Sequence, residues 1–157
     1  MTDSDLETIG IEQMLLTLLQ GFYWFDEGLQ NYLRSRGWPT VTRPQSMVMA
    51  NIVMGVRYPS DIARRLGISR QAIHKTIKSM VAIDMVALVD DPDNGRVKLV
   101  QLTKTGEAMR RDAQHAMRLM ADELVARVGK RSVMRAATAL AQDWGPPLTF
   151  EPSKKSR

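Results

Sequence analysis

Residues 58–77 read Tyr58-Pro-Ser-Asp-Ile-Ala-Arg-Arg-Leu-Gly-Ile-Ser-Arg-Gln-Ala-Ile-His-Lys-Thr-Ile77. The stretch spells two short helices and the break between them. Ser60 can cap a helix that runs to about Leu66, since a side-chain oxygen there satisfies a free N–H of the first turn. Gly67 follows, the residue that enters a left-handed turn without a Cβ clash. Ser69 caps the next helix, which carries Ala72, Ile73, Ile77 and Met80 on one face. Arg70, Gln71, His74, Lys75 and Lys78 fall on the opposite face. Ala63 is small where the two helices would cross closely.

Downstream the period changes from helical to alternating. Met85 to Val89 and Val97 to Leu102 are aliphatic runs joined by Asp90-Asp-Pro-Asp-Asn-Gly95, a strong turn signal between two strands. A lone hairpin is marginal and must pack on helices. Thr103 caps a long helix over 104–128, with Ala113, Ala116, Met117, Met120, Leu124 and Val128 at near-heptad spacing. Ser132 caps a last helix whose stripe is Val133, Ala136, Ala137, Leu140 and Trp144, ended by Gly145, Pro146 and Pro147. Upstream, residues 5–35 read as one long helix capped by Ser4 or Asp5 and apolar on more than one face. Such a helix must be buried on several sides, and in a chain this small a second subunit would cover it. Residues 43–55 form another helix, with Thr42 as cap, Pro44 in the first turn, and Met47, Val48, Ile52 and Val53 inward. The expected class is mostly α with a small β-hairpin wing, a winged helix-turn-helix.

Charge and composition narrow the function. The 157 residues contain no Cys and carry a formal charge of +5. A disulfide scaffold, a zinc-thiolate site and a Cys nucleophile are therefore excluded. With only His74 and His115, a multi-His metal centre is excluded too, and no cofactor is expected. No Gly-rich phosphate loop or nucleophile elbow points to an enzyme. The start is acidic and no charge-free stretch, Gln13–Phe25 and Gln45–Val56 included, is long enough to span a bilayer. The expectation is a cytoplasmic protein with no membrane partner. Along the chain the charge is uneven: residues 1–56 are net −3, residues 57–111 net +5 and residues 112–157 net +3. Between Arg64 and Lys78 lie five basic side chains and no acid, the footprint of a polyanion partner.

Helix geometry assigns roles. Arg70 and Gln71 stand in the first turn of the second helix, where side chains reach base edges; Arg pairs bidentately with guanine and Gln with adenine. His74 lies one turn on, in reach of a base or phosphate. Lys75 and Lys78 suit phosphate contacts, which add affinity without sequence information. Ser69 is both cap and phosphate donor. Arg96, just past Asn94-Gly95, suits a narrow minor groove, or an ion pair with Asp91 or Asp93. The rival reading is a winged-helix protein-interaction module that binds no specific DNA.

Three segments resemble the MarR (multiple antibiotic resistance regulator) family of bacterial transcription factors: Ser60 to His74, the wing Asp91-Pro-Asp-Asn-Gly-Arg96, and Leu102-Thr-Lys-Thr-Gly106. The resemblance covers about residues 5–145. It implies a homodimeric regulator, expected to be a repressor, on a pseudo-palindromic operator of double-stranded DNA. Its domains would be a dimerisation helix at 1–36, a DNA-binding lobe at 40–103, dimerisation helices at 104–147 and a flexible basic tail at 148–157. It also implies a small, often aromatic effector, for which Phe22, Tyr23, Trp24, Phe25, Trp38 and Met47 are candidate contacts. Two departures stand out. Asn94 replaces a second wing Asp, which weakens a brace on Arg96, and Asp84 stands where a Gly usually ends the recognition helix. The missing Cys removes thiol oxidation as a signal.

Overall fold

The computed structural model describes residues 13–150. The chain divides into two units, 1–120 and 121–157. Its elements are α1 (Met14–Ser35), α2 (Arg43–Val53), α3 (Pro59–Leu66), α4 (Arg70–Ala82), β1 (Val86–Asp90), β2 (Lys98–Leu102), α5 (Lys104–Val128) and α6 (Lys130–Leu140). The expected caps Ser4 and Asp5, the first part of the 5–35 helix, and the tail from Glu151 lie outside the described residues.

In the first unit, one core gathers the inward faces of every element: Leu33, Val48, Ile62, Ile73, Ile77, Met80, Val86, Val100 and Met109 are all buried. The strands pair antiparallel, from Val86 opposite Leu102 to Asp90 opposite Lys98. Gly67 takes the left-handed turn between α3 and α4, with φ 64°. Ser69 caps α4 by accepting a hydrogen bond from the Ala72 N–H at 3.1 Å.

Several expected details shift. Helix α3 starts at Pro59 with Tyr58 as its extended cap, not at Ser60, because Pro is preorganised for the first helical position and forces the residue before it into an extended form. On α2, Gln45, Val48 and Asn51 are buried while Val53 is exposed, so the inward stripe is rotated from the apolar one. Gln45 can be buried because its carbonyl oxygen accepts from the Thr42 N–H at 2.8 Å and its amide donates to the Ser79 hydroxyl at 3.0 Å.

Asp84 does adopt the left-handed conformation of the usual glycine, with φ 56°. Its main-chain oxygen accepts from the Thr103 hydroxyl, and its carboxylate accepts from the Thr105 hydroxyl at 2.6 Å. Next to it, Gly106 allows α5 to approach β1 so closely that a Cβ would lie 2.0 Å from the Met85 carbonyl oxygen.

In the second unit, α6 begins after Gly129, with φ 86° there, which leaves Ser132 inside the helix rather than at its cap. The helix ends at Leu140, so Trp144 lies beyond it and its indole N–H donates to the Ala139 carbonyl at 3.0 Å. No residue of α6 is buried.

Candidate nucleic-acid interface

Helix α4 is two-sided. Ile73, Ile77 and Met80 are buried, which fixes the helix on the core. Arg70, Gln71, His74, Lys75 and Lys78 are all exposed, as is the cap Ser69. Among the described residues, none of Arg70, Lys75 and Lys78 has an ion-pair partner, whereas Arg64 on α3 pairs with Asp61 at 3.1 Å. The cations of α4 are thus left without internal neutralisation.

The wing brings up a further cation. Arg96 is exposed in the loop after β1 and forms no ion pair with Asp91 or Asp93. Asn94 acts instead on the backbone, its side-chain oxygen accepting from the Arg96 N–H at 3.3 Å. Asp91, 5% exposed, is the foot of this loop. Its carboxylate accepts from the Tyr58 hydroxyl at 2.7 Å and from the Asp93 N–H at 3.0 Å. These two bonds, the Tyr58 one first, hold the Asp91 carboxyl below its ordinary range. The same bond pushes the Tyr58 phenol up.

The expected aromatic contacts have separate local partners. The Arg43 guanidinium lies 4.8 Å from the Tyr23 ring centre and 6.0 Å from that of Phe22, and it pairs with Asp26 at 3.0 Å. Phe25 packs edge-on against Trp24 at 4.9 Å. The Trp38 indole donates to the Asp112 carboxylate at 2.7 Å. A different place is open: an apolar cavity of about 290 Å³ lined by Leu29 and Leu33 of α1, Met49 and Val53 of α2, Met109 and Met117 of α5, and also by Arg110 and Arg118. None of Phe22, Tyr23, Phe25, Trp38 and Met47 lines it. Its apolar pairs sit four or eight residues apart on their helices, so each is a legible stripe. That three stripes would leave a gap between them is not written in any one of them.

An exposed basic helix held by a buried apolar face, followed by an antiparallel hairpin with an Arg at its tip, defines a winged helix-turn-helix. Residues 40–97 match the family model of the MarR family, so the resemblance read from the sequence is borne out, and this segment is a MarR-family winged helix. Solved structures share the fold. RV1404 from Mycobacterium tuberculosis is 18% identical, with a TM-score of 0.67 over 87% of this chain and 96% of that one. Wild-type apo MarR from E. coli is 21% identical, with a TM-score of 0.64 over 84% and 95%. A point mutant of MepR from S. aureus, bound to an oligodeoxyribonucleotide, is 13% identical, with a TM-score of 0.55 over 83% and 94%. No curated protein matches the chain. Among the described residues no helix is long and apolar enough to cross a membrane.

Proposed function

We propose that this chain is a sequence-specific DNA-binding transcriptional regulator, a homodimeric repressor on a pseudo-palindromic operator, released by a small ligand. The observation that carries the reading is the exposed, unneutralised basic face of α4. Arg70 and Gln71 would read bases, Ser69, Lys75 and Lys78 would hold phosphates, His74 would touch either, and Arg96 would enter the minor groove. The oligonucleotide bound to the MepR mutant, a protein of this fold, favours DNA as the partner. Residues 40–103 would be the reading lobe.

Residues 1–36 and 104–147 would form the dimer. Leu15 and Leu16 of α1 are 74% and 64% exposed and Trp144 is 61% exposed, apolar surface that a second copy would remove from water. The cavity at Met49, Met109 and Met117 is the better-supported effector place, and its lining favours a largely apolar molecule. The rings of Phe22, Tyr23, Phe25 and Trp38, with Met47, are the alternative contact set for an aromatic one.

Selection of bound DNA from a random pool, with and without candidate ligands, tests the reading. Arg70→Ala is expected to cost about 1–3 kcal/mol on the selected operator and to relax preference at one position. Lys78→Ala is expected to weaken all sequences alike and to lower the salt slope by about 1. If the pool yields no enriched sequence, or binding is indifferent to salt, the protein is an interaction module instead.

A further inference from the structure

The segment between α2 and α3 is stitched to the wing at three points. The Arg57 carbonyl accepts from the Val100 N–H at 2.9 Å. The Arg57 guanidinium donates to the Gln101 side chain at 3.0 Å. The Tyr58 hydroxyl donates to Asp91 at 2.7 Å. The first two reach strand β2; the third reaches the loop that carries Arg96. Asp91 organises that loop. Besides binding the Asp93 N–H through its carboxylate, it donates from its own N–H to the Val97 carbonyl at 3.0 Å and accepts the Asn94 N–H on its carbonyl at 3.2 Å. Tyr58 is the cap of α3, so its backbone belongs to the helix-turn-helix frame. One side-chain bond therefore ties that frame to the loop.

We propose that Tyr58 is a positioning residue for Arg96: through Asp91 it sets the wing tip against the recognition helix, so that the two groove contacts are made in one register. The inference rests on the DNA-binding reading above. A two-stranded hairpin is flexible without external support, and the side chain of Arg96 has no ion pair among the described residues to hold it. Removing the Tyr58 oxygen would leave a buried carboxylate oxygen of Asp91 without its donor, a cost the loop can relieve by turning outward to water. The Arg96 contact would then be lost without any change to Arg96 itself. This separates Tyr58 from a residue that only stabilises the fold.

The test is a double-mutant cycle on the operator selected by the wild-type protein, with Tyr58→Phe, Arg96→Ala and the pair. Each single change is expected to weaken binding about 3- to 10-fold, the scale of one hydrogen bond, and the pair no more than the larger single loss. Tyr58→Phe is also expected to lose the preference for A·T pairs under the wing, as Arg96→Ala does, while discrimination at the bases read by Arg70 is kept. Losses that multiply independently would overturn the proposal, with or without a lower melting temperature. So would wild-type affinity for either single variant. Should Tyr58→Phe fail to fold, Asp91→Asn goes through the same cycle with the same expectations. A wild-type protein that enriches no DNA overturns the parent reading and this role with it; a wild-type protein that binds while the cycle is additive overturns only this role.

Discussion

Asp84 holds a conformation that side-chain-bearing residues avoid, and two threonines keep it there. The left-handed region costs an ordinary L-residue roughly 1–2 kcal/mol. Asp84→Gly would remove that cost and also remove the bond from Thr105, so a near-neutral change in melting temperature is expected. Asp84→Val keeps the strain, adds a β-branch and loses the bond; it is expected to destabilise by about 2 kcal/mol or more. A pair of thermal melts decides between these outcomes. Asp91 has a pH signature of its own. Its carboxyl lies lower in the folded chain than its ordinary value, so the stability it contributes is complete above the ordinary carboxylate range and lost as pH falls through the lowered folded value. The Tyr58 phenol is shifted up, so its contribution is complete below the ordinary phenol range and lost as pH rises through the raised folded value. Melting temperature followed against pH is expected to slope downward at the acid end, and Asp91→Asn is expected to flatten that slope.

At the scale of elements, α5 comes close to the backbone just before β1. A methyl group at Gly106 would meet the Met85 main-chain oxygen, which cannot swing aside as a side chain can. Gly106→Ala is expected to cost about 3 kcal/mol, the upper end of typical overpacking, and to lower the melting temperature by roughly 10 °C. The elements also show what is legible in the chain alone. The helix-turn-helix can be read because its signals are local: Gly67 at the break, Ser69 at the cap, and a 3.6-residue stripe of isoleucines on α4. The starts of α3 and α6 mislead because the chain enters each helix ahead of the serine, at Pro59 in one case and after the positive-φ Gly129 in the other. The cavity and the Tyr58–Asp91 bond are not legible. Both depend on residues from separate elements meeting in space, 33 positions apart in the second case, and a single sequence carries no record of such meetings.

For the molecule as a whole, the decisive measurement is size. The chain carries its positive charge mainly over residues 57–111, and a dimer would present that charge twice, with half-sites expected roughly 10 bp apart. Light scattering is expected to give twice the mass of one chain, 17.7 kDa; a stable, well-folded monomer would remove the dimer from the reading. The hydrogen bond between Arg57 and Val100 has a consequence in chain connectivity. It closes one continuous stretch of chain, by a non-covalent contact, into a loop that contains both helices of the helix-turn-helix and the wing tip. Exposed tips are where proteases cut, and a cut between Asp93 and Arg96 would open the loop and turn its closure into an association of two separate fragments. An intact chain can refold as one strand from dilute denaturant. The nicked chain would have to find its other half as well as its partner copy, and its recovery would fall more steeply with dilution than that of the intact chain.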